Sequence, residues 1–340
     1  LPFALTDGQV DVLSEIEADL STATPMSRLL QGEVGSGKTI VSLLAMLQVV
    51  DAGRQCALLA PTEVLAVQHA RALTQLLSDA AVPATVVVLT GSMSQSTKKR
   101  ALLDIVSGQA DIVVGTHALI QEGVEFFDLG LVVVDEQHRF GVEQRDHLRS
   151  QGRNGVTPHL LVMTATPIPR TIAMSVFGDL DVSTLTERPA NRAEVSTTVV
   201  PSDRGRWMER VWERVAEEAR GGGRAYVVCP KIDDEAAGAP LASVSETAAM
   251  LRDLPATSGI GLEVMHGRLP AEEKAAAMAR FADGHAPILV STTVVEVGVD
   301  VPEASAMVIL DADRFGLSQL HQLRGRIGRG SRPGVCLAVT

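Results

Sequence analysis

No apolar run in this chain approaches the ~20 residues that a membrane-spanning helix needs. The longest runs, such as Ile40 to Val50, are broken by residues like Ser42 and Gln48, and no secretory leader pattern opens the chain. Aromatic side chains make up only 3% of residues, too few to build platforms on which nucleic-acid bases stack. The three cysteines, Cys56, Cys229 and Cys336, are scattered singly through short apolar runs. That spacing excludes a disulfide framework and a clustered zinc site, and predicts buried, reduced thiols. Positive charge is also short: 30 Lys and Arg stand against 41 Asp and Glu, a net charge of −11. Such a balance disfavours a broad polyanion-binding surface. The exception is local, because Arg314, Arg324, Arg326, Arg329 and Arg332 fall in a stretch without an acid.

What is present is a folded protein's balance, with 46% hydrophobic and 21% charged residues. A length of 340 residues predicts two domains. Short β-branched runs (28–31, 56–60, 85–89, 111–114, 131–134 and 160–163) alternate with helical patterns (39–52, 64–79, 95–107 and 144–150). The second half repeats this, with runs at 195–200, 225–229, 262–265, 288–291, 307–310 and 335–339 and helical patterns at 206–218, 245–251, 271–281 and 317–323. The alternation predicts an α/β fold in which each half carries a mostly parallel sheet flanked by helices. The polar stretch 186–194 reads as the linker, giving domains 1–190 and 191–340, and 232–243 reads as a surface insertion. Leu1 in place of Met, and an end at Thr340 inside an apolar run, are expected of a piece of a longer chain.

The strongest local signal is Gly32–Thr39, GEVGSGKT, which follows an apolar run and opens a helical one. Gly32, Gly35, Ser36 and Gly37 let backbone N–H groups curl around phosphate oxygens at a helix N-terminus. Lys38 then neutralises the β- and γ-phosphates, and Thr39 holds Mg²⁺. A second apolar run ends in Asp135-Glu136-Gln137-His138. This places Asp135 at a sheet edge to reach Mg²⁺ through water, and Glu136 to orient and deprotonate the attacking water. Thr164-Ala165-Thr166-Pro167 follows another run and, alone, reads as a strand-ending turn. Gln322–Arg329, QLRGRIGR, offers arginine fingers at Arg326 and Arg329, or else a plain basic loop.

Taken in order, GEVGSGKT, DEQH, TATP, STTVVEVGVD and QLRGRIGR resemble a superfamily 2 helicase motor over essentially the whole chain. The longer strings DEQHRFGVEQR, MTATPIPRT and DRFGLSQLHQLRGRIGRG resemble the RecG-type DNA helicases, with transcription-repair coupling translocases as near relatives. The resemblance implies two tandem RecA-like domains of the P-loop NTPase type with ATP and Mg²⁺ between them. It implies that Phe3 stacks on the adenine, that Gln9 reads its edge, and that Gly298 and Asp300 meet the ribose and phosphates. His138, Thr164, Thr166 and Gln322 would couple the two ligands. The nucleic-acid backbone would run over Pro61, Thr62, Gly91, Ser92, Thr116 and His117, then His266, Gly267, Thr292 and Thr293. The implied partner is branched or duplex DNA, gripped by its backbone without sequence specificity. The implied setting is the bacterial cytosol and nucleoid, away from membrane, as a monomer, reversing stalled forks and migrating junctions in repair and recombination. A branch-recognising N-terminal module and a hairpin after the second domain, both expected in this family, lie outside these residues. A nucleotide-dependent binding module without turnover is the alternative of another class; it calls for a defect at Lys38, Glu136 or Arg329, and none is visible.

Overall fold

A parallel strand leaves its sheet at the carboxyl end, so a run of parallel strands gathers all its following loops on one edge. The computed structural model follows this arrangement twice. It divides into two compact units, Leu1–Arg188 and Pro189–Thr340. The structure describes residues 4–33, 35–120, 123–135, 156–164, 180–187, 193–231, 242–292 and 301–340.

In the first unit the strands are β1 (Ser27–Gly32), β2 (Gln55–Leu59), β3 (Val86–Leu89), β4 (Ile112–Gly115), β5 (Leu129–Asp135), β6 (His159–Thr164) and β7 (Asp181–Leu185). They lie in the order β3-β4-β2-β5-β6-β1-β7, and every pairing is parallel. Among the described residues four helices flank them: α1 (Asp7–Leu20), α2 (Lys38–Asp51), α3 (Glu63–Asp79) and α4 (Gln95–Val106). The continuous apolar strands are explained by burial on both faces. Along β5, Leu131 and Val133 enter one core with α1, α2 and α3, while Val132 and Val134 enter the other with α4. A polar staple holds the sheet's end: Arg28 of β1, with 10% of its side chain exposed, bonds Glu15 and Asp19 of α1 at 2.8 Å each and Ser183 of β7. At the start of β6, His159 Nδ1 accepts the Met26 N–H at 2.9 Å.

In the second unit the strands are β8 (Val195–Val200), β9 (Arg224–Val228), β10 (Leu262–Met265), β11 (Ile288–Ser291), β12 (Ala304–Ile309) and β13 (Gly334–Val339). Their order is β10-β11-β9-β12-β13-β8, again parallel throughout. The helices are α5 (Gly205–Arg220), α6 (Val244–Asp253), α7 (Ala271–Asp283) and α8 (Leu317–Arg324). α5 and α6 pack on one face; α7 and α8 pack on the other. Several of the scarce aromatics are spent on this core: Tyr226 and Phe281 are buried with ring centroids 4.7 Å apart, and truncating Phe281 to Ala would cost about 3–5 kcal/mol.

The three cysteines are free and buried. Burial pushes the Cys229 and Cys336 thiols up to about 11 and Cys56 still higher, which keeps all three protonated.

Three expectations need revision. The helix α1 and the strand β7 were not foreseen. The stretch 232–243 is not wholly a surface insertion: residues 232–241 lie outside the described residues, but Ser243 is fully buried and caps α6 by accepting the Glu246 N–H. The arginines of 314–332 are divided between the two edges of their sheet, because Arg314 ends the one-turn helix that follows β12 at its carboxyl end. Arg324 donates to the Val195 carbonyl at the start of β8, and Arg332 lies beside Gly221 and Gly222, just before β9. Both therefore sit at amino ends of strands, the opposite edge from the loops that follow β10 and β11.

Candidate functional site

The strand order of the first unit sorts its loops into two neighbouring groups along the carboxyl edge. The ends of β3, β4 and β2 carry Gly91-Ser92, Thr116 and Pro61-Thr62 side by side. Next to them, β5, β6 and β1 carry Asp135, Thr164 and the glycine-rich loop. The expected nucleic-acid residues and the expected nucleotide residues of this unit thus occupy adjoining halves of one edge.

The glycine-rich loop turns through two left-handed residues, Gly35 at φ 85° and Gly37 at φ 88°, before α2 begins at Lys38. A side chain at Gly37 would strike the Gln9 amide as well as adopting a strained backbone. Lys38 Nζ donates to the carbonyls of Gly32 at 2.7 Å and Glu33 at 3.0 Å. The ammonium is therefore held over the loop, where its charge meets an anion seated on the N-terminus of α2. Ser36 Oγ is buried without a hydrogen-bond partner, and a Cβ at Gly32 would lie 2.5 Å from it. An unpartnered buried hydroxyl within a glycine cradle fits a phosphate acceptor. Thr39 is the second residue of α2 and half-buried. With Asp135 it offers oxygen donors, the kind a hard divalent cation takes. Among the described residues no group of three or more His, Cys, Asp or Glu side chains could hold a metal. A cation with few protein ligands, completed by phosphate and water, is the habit of Mg²⁺.

Gln9 is also engaged by the fold. Its Oε1 accepts the Thr6 N–H at 3.1 Å while Thr6 Oγ1 accepts the Gln9 N–H at 3.3 Å, a reciprocal cap on α1. Its Nε2 donates to the Ser36 carbonyl at 3.0 Å. The described bonds of Gln9 thus go to the helix cap and the phosphate loop. Thr164 is buried and stands in register beside Gln31 of β1, and its neighbour Met163 beside Asp135. It occupies the strand end between the loop and the carboxylate.

On the other half of the edge, Thr62 caps α3 by accepting the Leu65 N–H. The Ser92 N–H donates to Glu63 at 3.0 Å and its hydroxyl donates to the same carboxylate; that carboxylate also lies close to Gly91. Thr116 is buried, and His117 opens a one-turn helix, His117–Ile120. Two residues escaped the sequence reading. One is Glu63. The other is His69, whose Nε2 lies 2.8 Å from Asp135 Oδ2 with both side chains 13% exposed. The signal for His69 was its place beside the apolar Ala66, Ala70, Leu73 and Leu77 of α3, where an imidazole requires a partner.

In the second unit His266 and Gly267 follow β10, and Thr292 follows its neighbour β11. His266 Nδ1 and Ser291 Oγ are buried without hydrogen-bond partners, and Lys274 Nζ donates to the Gly267 carbonyl at 2.8 Å. Arg326 and Arg329 lie in the turn after α8, where Arg329 Nε donates to the Gly325 carbonyl at 3.0 Å. Gln322 and Leu323 are buried on α8, and Ile327 is buried in the core. The turn reverses at Gly328, φ 67°, where a Cβ would lie 2.5 Å from Val195 Cγ2. Phe3, Glu136, His138, Thr166, Thr293, Gly298 and Asp300 lie outside the described residues.

Comparison with known proteins adds ancestry to this geometry. The DEAD/DEAH box helicase family matches residues 6–175, and the helicase conserved C-terminal domain matches residues 208–331. The ATP-dependent DNA helicase RecG of Mycobacterium tuberculosis is 55% identical over 99% of this chain and 48% of its own length. RecG of Bacillus subtilis is 49% identical over 99% of this chain and 48% of its own. The chain therefore spans about half the length of the curated relatives it matches. A solved structure of RecG bound to a three-way DNA junction superposes with a TM-score of 0.81 at 44% identity, covering 100% of this chain and 43% of that one. The two parallel-sheet units match tandem RecA-like helicase domains.

Proposed function

This chain belongs to the DEAD/DEAH box helicase family, and from that premise we propose that it is the ATP-driven motor of a RecG-type DNA helicase. In this reading it translocates on duplex DNA at branched junctions, with ATP and Mg²⁺, as part of a longer, monomeric protein of the bacterial cytosol. The observation that carries the reading is the divided carboxyl edge of the first unit. A phosphate cradle at Lys38 and a carboxylate at Asp135 adjoin the strand ends of Thr62, Ser92 and Thr116 on one rigid sheet.

The α2 N-terminus, Ser36 and Lys38 bind the triphosphate. Thr39 and Asp135 would hold Mg²⁺, whose charge would screen the phosphates. Glu136 orients and deprotonates the attacking water, and Arg326 and Arg329 neutralise charge on the transferring phosphoryl group. Gly298 and Asp300 contact the nucleotide from the second domain, residues 191–340, while Phe3 borders the base. Gln9 reads the edge of the base, and its bond to the Ser36 carbonyl supports the loop from behind. The DNA backbone crosses Pro61, Thr62, Gly91, Ser92, Thr116 and His117 in the first domain, residues 1–190, and His266, Gly267, Thr292 and Thr293 in the second. Thr164, Thr166, His138 and Gln322 link the two ligands.

The test compares ATPase stimulation by forked DNA, linear duplex and RNA at about 50 and 200 mM salt, a span over which phosphate-driven binding changes strongly. Forked DNA is expected to stimulate most, with the effect shrinking at the higher salt. Stimulation by RNA alone, or hydrolysis indifferent to nucleic acid, overturns the proposal.

A further inference from the structure

We propose that His69 is the positioning residue of Asp135, and that α3 is a rigid link joining that carboxylate to the strand-end loop at Ser92. The inference rests on the nucleotide-site reading above. His69 Nε2 lies 2.8 Å from Asp135 Oδ2. An ionised carboxylate only accepts hydrogen bonds, so Nε2 carries the hydrogen and donates. With one oxygen engaged and both side chains only 13% exposed, Asp135 is restricted in rotation. With Oδ2 engaged by His69, Oδ1 is the oxygen that would serve a cation's water.

The same helix is anchored at its far end. Glu63, in the first turn of α3, accepts from both the backbone N–H and the hydroxyl of Ser92, while Thr62 caps the helix from the adjacent strand end. Six residues separate Glu63 from His69, about 9 Å of helix rise. α3 also buries Ala66, Ala70, Leu73 and Leu77, so it moves as a body and does not bend. A displacement of the Gly91-Ser92 loop is thereby passed to His69, and through it to Asp135.

Partners that orient a metal ligand typically govern 10–100-fold in metal affinity. The experiment measures the Mg²⁺ concentration that gives half-maximal thermal stabilisation by ADP, and separately the fold-stimulation of ATPase by forked DNA. His69→Ala is expected to raise the half-maximal Mg²⁺ concentration about 10–100-fold, leaving nucleotide binding in EDTA unchanged. His69→Gln places an amide donor near Nε2 and is expected to return within about threefold of wild type, the size of the context scatter in such effects. Glu63→Gln is expected to reduce stimulation by DNA while leaving the Mg²⁺ requirement unchanged.

An Mg²⁺ requirement that is unchanged or lowered in a folded His69→Ala protein overturns the proposal, since a lowered one marks His69 as a competitor of the metal. A folded His69→Gln protein as impaired as His69→Ala overturns it too, and serves if the alanine variant does not fold. Unaltered DNA stimulation in Glu63→Gln removes the link through α3. Absence of any Mg²⁺-dependent nucleotide binding in the wild-type protein is a different result, which strikes the nucleotide-site reading itself.

Discussion

The side-chain amide of Gln9 donates to the backbone carbonyl of Ser36 at 3.0 Å, so the first helix holds the phosphate loop by its main chain. The bond is buried, and its loss leaves a desolvated carbonyl, worth about 1–3 kcal/mol. Gln9→Ala is expected to raise the KM for ATP about tenfold, the equivalent of 1.4 kcal/mol, with a smaller change in kcat. Steady-state kinetics check the split; an unchanged KM would mean that the loop holds its shape alone.

Lys38 and Glu136 are expected to fail in different ways. Lys38→Ala removes the charge held over the loop, and tight nucleotide binding is lost. Glu136→Gln keeps binding but lowers turnover by about 10²–10⁴, the contribution of a general base. Fluorescent-nucleotide titration beside single-turnover hydrolysis separates the two. Binding and turnover both near wild type in Lys38→Ala would remove the site assignment.

Around the turn after α8, neighbouring residues divide shape from chemistry. Gly328→Ala forces an L side chain into a left-handed position against Val195, and the second unit is expected to lose about 2–5 kcal/mol. Arg329→Ala is expected to leave the melting temperature unchanged while kcat falls about 10³-fold or more in the DNA-bound enzyme. Denaturant melts and kcat measured on the same two variants decide this. An Arg329→Ala protein that loses ATP binding yet keeps its maximal rate would make the segment a binding loop.

His159 links acid stability to the start of β6. Burial, and next the charge of Arg54, hold its imidazole below the usual value of 6.5, with Asp19 opposing more weakly. The unfolded chain therefore takes up the proton more readily than the native one. The stabilisation is complete above pH 6.5 and is lost as the pH falls below it. Urea midpoints at about pH 7.5 and 5.5 are expected to fall further for wild type than for His159→Asn, which keeps an acceptor for the Met26 N–H without titrating. Equal acid losses in the two proteins would place the pH dependence elsewhere.

Much of this architecture was legible in the residues. β11 begins and ends where its apolar run does, because a buried parallel strand is written as an unbroken hydrophobic stretch; β8 and β10 match their expected bounds as well, through β-branched and alternating residues and not through full burial. The elements that were missed carry weaker signals. β7 is an edge strand with exposed and half-buried positions among buried ones, and Asp181, Ser183 and Thr184 disguise it. α1 presents only Gln9, Val12 and Ile16 to the interior. Motif chemistry was legible where spacing is rigid, as at Lys38 and Thr39. The pairings of His69 with Asp135 and of Glu63 with Ser92 join positions far apart in the chain, and only the strand order brings them together.

In both units the first strand waits for the last. Arg28 of β1 is flanked by Leu161 of β6 and Asp181 of β7, and β8, among the described residues, pairs only with β13, with Val195 beside Gly334. During synthesis at 5–20 residues per second, roughly 10–30 s separate the emergence of β1 from that of β7. Over that interval the phosphate loop has no sheet to stand on, and an apolar strand meant for a central position is open to wrong partners. The nascent first unit is accordingly exposed to aggregation over that interval, and nucleotide cannot rescue it, because the cradle that would bind nucleotide is completed only when the unit's own sheet is.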